Sequence, residues 1–339
     1  MNAGLGSRVA RAVGAFAVAI GTVSCGGAPG GESAPGAITF AHVGNPGSLY
    51  DLASREYARR ANERLPEGWH VEVYGASQLG DDEVLLQKLR LGTIDLMLPS
   101  TVMSSAVSAF ALFELPYLVR DREHMRAIER DVVWPALAPL AEERGYHLLA
   151  VWENGFRHVT NNVRPIHTPD DLRGVKLRTP RGTWRVKLFQ AMGANPTPMA
   201  FSEVFVALQT GVMDGQENPL IQIQSSRFHE VQDYLSLTGH VYSPAYLIGG
   251  ASWNRLPEEV RGILSEEARA AQAFVHETAA GIDTSILADL EGTDIEINEV
   301  DRAPFLQASR PVYEEFEATV EVGAELLRRV RALSAEDPT

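Results

Sequence analysis

The chain has 339 residues, 30 Lys and Arg against 44 Asp and Glu, a formal charge of −14 and 45% hydrophobic residues, which excludes disorder and leaves room for two packed domains. Its single cysteine excludes an internal disulfide framework and a multi-cysteine zinc site. The acid excess argues against nucleic acid, which needs a basic face, and means that a small anion must be held by a few locally concentrated arginines.

The first 24 residues read as an export signal, with Arg8 and Arg11 ahead of an apolar run from Ala12 to Val23 that is too short to span a bilayer. Cys25 follows, before Gly26-Gly27, and residues 26–37, rich in Gly, Ala, Pro and Ser, read as a flexible tether. The body is expected to begin at Ile38 with a strand to Ala41. A helix from Ser48 to Leu65 follows, with Leu49, Leu52, Ala53, Tyr57, Ala61 and Leu65 on one face. Trp69 to Tyr74 reads as a strand. Asp81 or Asp82 caps a helix that stops at Gly92, and Ile94 to Leu98 is the next strand. Strand His147 to Trp152, a helix opening at Thr168-Pro169 and stopping at Gly174, and strand Val175 to Arg178 continue the alternation. Ser202 is expected to cap a helix from Glu203 to Thr210, Val212-Met213-Asp214 to open another strand, and Pro257 to Glu291 to form one long helix. Alternating strands and helices make this an α/β protein.

Ligands of open α/β sheets sit beyond the carboxyl ends of the strands. On this reading the ends carry Ser100, then Glu153-Asn154-Gly155-Phe156-Arg157, then Arg178, then Gly215-Gln216-Glu217-Asn218-Pro219, so two Arg and two Asn share one edge. A guanidinium presents a planar fork that fits a carboxylate bidentately, which points to an organic anion. No Gly-x-Ser-x-Gly elbow, His-Glu-x-x-His or phosphate loop occurs, and the Asp81-Asp82 pair is explained by helix capping, so no enzyme, metal or cofactor is expected.

Three runs carry a specific resemblance: Lys176-Leu177-Arg178-Thr179-Pro180, the stretch from Gly193 through Asn195-Pro196-Thr197-Pro198 to Val204, and the stretch from Ala207 to Pro219. Together with Ser77 to Asp82, Glu114 to Tyr117 and Gly155 to Arg157, in the same order, they resemble the extracytoplasmic solute receptors of TRAP transporters, the DctP family, over about residues 38 to 320. The resemblance implies a two-lobed periplasmic-binding-protein fold with mixed sheets, a hinge and a bracing helix. Residues 38–152 and about 243–283 form lobe I, and residues 153–242 and about 284–339 form lobe II. It implies that Arg178 bridges the ligand carboxylate and that Asn218, Arg157 and Phe201 hold or sandwich the ligand. Asn154, Ser100, Asp82 and Trp184 are weaker pocket candidates, and for Trp184 the helix face toward the core is the favoured reading. Ser100 and Met103 stand where sialic-acid receptors carry charged side chains, so sialic acid is disfavoured.

The expected function is capture of a small carboxylate, a sugar acid or related organic acid, and its delivery to the small and large TRAP membrane subunits. The alternatives are a C4-dicarboxylate ligand, or a carboxylate sensor for a membrane signalling partner. The segment around Cys25 resembles a bacterial lipobox, which implies a periplasmic protein tethered by lipid. Ordinary signal cleavage and a buried structural cysteine are the competing readings of Cys25. Cys25→Ser is expected to move the protein from the membrane fraction to the soluble periplasm, and retention in membranes after fractionation speaks against lipidation.

Overall fold

The computed structural model describes residues 35–335; the signal segment, Cys25 and nearly all of the tether lie outside the described residues. Among the described residues nine strands form one mixed, open sheet. They are β1 (Ala37–Ala41), β2 (His70–Tyr74), β3 (Leu96–Met97), β4 (His147–Asn161), β5 (Lys176–Thr179), β6 (Asn195–Pro198), β7 (Gly215–Pro219), β8 (Tyr234–Gly249) and β9 (Glu296–Glu299). The order is β2-β1-β3-β8-β4-β7-β5-β6, with β9 beside β8. The short outer strands pair in parallel, as their helical crossovers require, whereas β4 and β8 pair antiparallel with each other.

The first helix runs from Leu49 to Arg64, and the Ser48 hydroxyl accepts from the Asp51 amide. Its buried face is Leu49, Ala53, Tyr57 and Ala61, a four-residue repeat that turns toward the core. The helix Asp82–Leu91 starts with the Asp81 carboxylate accepting from the Val84 amide at 2.9 Å and ends at Gly92, whose φ of 70° favours glycine. Helix Glu258–Glu291, 34 residues and thus about 50 Å long, lies along both the first helix and β4. Arg60 and Arg64 hold Glu267, and Trp152 donates to the Ala268 carbonyl. Farther along, Arg122 joins the buried Glu153 carboxylate of β4 to Asp283 and the Ala279 carbonyl. No helix among the described residues is long and apolar enough to cross a membrane.

The structure corrects three expected boundaries. Strand β4 does not end at Trp152 but continues to Asn161, so Glu153 to Arg157 lie inside a strand rather than beyond it. Polar residues survive there because buried partners satisfy them, and the ladder to β8 shifts register between Glu153 and Gly155, where Gly155 takes φ 123°. Strand β7 begins at Gly215, after Val212 to Asp214, so Gln216 to Asn218 are ladder residues. Gly215 is required by close approach, because a Cβ would sit 2.3 Å from the Thr160 carbonyl oxygen. Ser202 is not a cap: Phe201–Glu203 forms a 3₁₀ turn, in which the Glu203 carboxylate accepts from the Ala200 amide, and the helix proper is Val204–Gln209.

Packing between the end of β8 and the helix Asp82–Leu91 is equally tight, since a Cβ on Gly250 would lie 2.3 Å from the Leu89 carbonyl oxygen. Gly250→Ala is therefore expected to cost about 1–3 kcal/mol by overpacking, read as a lower urea midpoint at unchanged m-value; an unshifted midpoint contradicts this packing.

Candidate functional site

A cavity with about 580 Å³ of empty space, open solvent at its mouth included, lies across the sheet and collects Arg178, Arg157, Asn218, Asn154, Phe201, Ser100 and Asp82. The register explains the meeting. Strands β4, β7 and β5 are neighbours, with His158 opposite Asn218 and Arg178 opposite Gln216, so side chains distant in sequence become adjacent on one face. On β5, Leu177 enters a core with Val175, Leu188 and Phe189, while Arg178 lines the cavity. Asp82 and Ser100 arrive from the other end of the sheet, at a helix start and after β3.

Arg178 is 2% exposed and makes no ion pair among the described residues. Its Nε and Nη2 donate to the Met199 carbonyl at 3.1 and 2.6 Å, which fixes the guanidinium plane and leaves the Nη1/Nη2 edge for a carboxylate. The Phe201 ring lies 5.8 Å from the guanidinium carbon. Burial pushes the Arg178 pKa down to about 9; Glu217 and Asp82 oppose that fall, and Arg157 and Arg185 add to it. A cation desolvated in this way gains from an anion placed against it.

Arg157 is held differently. It is clamped by Glu217, with Nε to Oε2 at 2.5 Å and Nη2 to Oε1 at 3.0 Å, and Nη2 also donates to the Glu217 carbonyl and to Asn218 Oδ1. Glu217 also accepts from Arg185 Nη1 at 2.6 Å and contacts His240 Nε2 at 3.0 Å, while Arg185 reaches Glu114. Burial alone would raise the Glu217 pKa, but Arg157, Arg185 and His240 outweigh it and hold the carboxyl well below the usual range. Asn218 donates to Gln216 two residues earlier on β7, so its amide orientation is set within its own strand.

Asn154 accepts from Gln222, a cavity residue that sequence reasoning missed, as it missed Tyr50 beside Ser100. Glu217 was visible only as one letter of a motif, and Arg185 and His240 carried no local signal because their partners are 32 and 23 residues away. Trp184 is not part of the cavity. It stacks edge-on against Phe316, 5.6 Å between ring centres, with Lys187 over its face; the helix Thr183–Ala191 turns Arg185, not Trp184, toward the buried charges. Breaking a buried ion network by removing one partner typically costs about 3–5 kcal/mol, so Glu217→Gln is expected to lower stability by that amount in urea unfolding. A wild-type midpoint would show that Arg157 and Arg185 do not depend on it.

The model of the family described as bacterial extracellular solute-binding protein, family 7 (DctP), matches residues 40–319. The 2,3-diketo-L-gulonate-binding periplasmic protein YiaO of Escherichia coli is 33% identical over 283 residues, 82% of this chain and 86% of that protein. A TRAP periplasmic solute-binding protein from Polaromonas, solved bound to D-erythronate, is 32% identical with a TM-score of 0.84, covering 89% of this chain and 100% of that one. Another, from Sulfurospirillum deleyianum with bound succinate, is 30% identical with the same TM-score and the same coverage. The chain therefore belongs to the DctP family, the solute-binding proteins of TRAP transporters.

Proposed function

We propose that this protein captures a small organic carboxylate in the periplasm through a bidentate bridge to Arg178 and hands it to the small and large TRAP membrane subunits, with no chemistry on the ligand. The observation that carries the reading is a guanidinium buried in the cavity, oriented by a backbone carbonyl and not paired with any carboxylate among the described residues. Phe201 forms a wall against the ligand body, and Asn154, Asn218 and Ser100 meet its polar groups. Arg157, already engaged by Glu217, shapes the pocket and offers no second free charge. That favours a sugar acid or related monocarboxylate, the ligand type of the erythronate-bound relative, over the succinate-bound one. We place the hinge at the register shift between β4 and β8 near Gly155. Residues 38–152 with about 243–283 then close over residues 153–242 with about 284–339, braced by the helix Glu258–Glu291. Lipidated Cys25 tethers the protein to a membrane.

A charge-assisted hydrogen bond contributes about 1.5–3 kcal/mol, so Arg178→Ala is expected to weaken binding by at least about tenfold with the fold intact. Arg178→Lys should not restore it, because an ammonium lacks the fork. Calorimetric titration of the mature body with erythronate, galactonate and glucuronate reads this directly, and wild-type affinity in Arg178→Ala removes the bridge.

A further inference from the structure

We propose that Asp82 sets the ligand class: its carboxylate receives ligand hydroxyls and turns away a second carboxylate, so the site selects polyhydroxylated monocarboxylates against dicarboxylates. This rests on the carboxylate-capture reading above. The charged side chains lining the cavity are Asp81, Asp82, Arg157, Arg178 and Arg181. Arg157 is neutralised by Glu217, and Arg181 at the mouth pairs with Glu83 at 3.2 Å. Asp81 is occupied in capping its helix. Arg178 is the lining cation with no ion pair among the described residues, and Arg181, its charge met by Glu83, keeps only a buried Nε without a hydrogen-bond partner. Across the cavity stands Asp82, with no hydrogen bond or ion pair among the described residues.

The neutral groups point the same way. Gln222 Oε1 and Thr101 Oγ1 both belong to residues lining the cavity, are buried and have no hydrogen-bond partner. Asp82 and Gln222 Oε1 are acceptors, and an acceptor is satisfied by a hydroxyl, which donates; a second carboxylate carries no proton to give and would bring like charge against Asp82 and Asp81. Around Asp82, burial disfavours the charged form most, Arg178 opposes that, Asp81 and Glu83 add to it, and the Tyr50 phenol lies nearby. The balance pushes the carboxyl up to about 7, so its repulsion of a second carboxylate weakens as pH falls from 8 to 6.

The test is calorimetric titration of wild type and Asp82→Asn with erythronate and with succinate, at pH 8 and pH 6. Asp81, not Asp82, caps the helix, so the variant should fold; Asp82→Ser repeats the measurement, and thermal unfolding checks each. Wild type is expected to prefer erythronate by at least about tenfold at pH 8, the effect of one charge-assisted hydrogen bond. The preference should narrow at pH 6; in Asp82→Asn it should be about tenfold narrower than in wild type at pH 8, chiefly through a gain for succinate, and close to the wild-type ratio at pH 6. Succinate binding as tightly as erythronate in wild type, or an unchanged ratio in both variants, overturns the assignment of Asp82 alone. Binding of none of erythronate, galactonate, glucuronate and succinate by folded wild type overturns the capture reading and this inference with it.

Discussion

The site depends on one buried carboxylate. Glu217, fully buried, takes hydrogen bonds from Arg157 and Arg185 and contacts His240, so that charges from β4, β7, β8 and the helix Thr183–Ala191 converge beneath the cavity. Arginines are rarely buried without compensation, because desolvation costs several kcal/mol per ion. Glu217 and Glu114 compensate Arg157 and Arg185, and the nearby Arg178 is left over. The network therefore leaves a net positive position in a protein that carries a formal charge of −14 overall.

That position exists because polar residues occupy strands that the core would normally fill with apolar ones. In β7 every residue from Gly215 to Pro219 is buried, and in β4 Glu153, Asn154 and Arg157 are buried as well. Each is matched by a specific partner: Arg122 for Glu153, Gln222 for Asn154, Glu217 for Arg157. The same Arg122 bonds Asp283 on the long helix, so the strand that carries the cavity residues is tied to the element that spans the molecule.

Much of this was legible beforehand where physics is local. The cap at Asp81, the stop at Gly92 and the helix Glu258–Glu291 follow from side chains within a turn of one another, and they stand where the sequence pattern placed them. Arg178, Arg157, Asn154 and Asn218 line one cavity as the sequence reading grouped them, though that reading placed them at strand ends, whereas they sit within strands β4, β5 and β7. Alternation fails as a strand signal where both faces are buried and polar. Tyr50, Arg185, Gln222 and His240 were invisible because their roles are set by partners elsewhere in the fold. For Trp184 the core-facing reading is the one the packing shows, because adjacent helical positions face different directions and contact with Phe316 decides which one looks inward.

The electrostatic arrangement also bears on how a receptor both holds and releases its cargo. An acidic protein offers little long-range attraction to an anion, so affinity must come from the cavity itself. Arg178 is destabilised there by burial, which lowers its pKa to about 9, and on the proposed bridge part of what a ligand carboxylate would contribute is relief of that cost. Such relief exists only while the cavity excludes water. If the segments carrying Asp82 and Ser100 draw back from those carrying Arg178 and Phe201, solvent rehydrates the guanidinium and the carboxylate together, and the bridge falls toward the small value of an exposed ion pair. Grip and release then need no separate device, since opening the cleft is itself what weakens the bond.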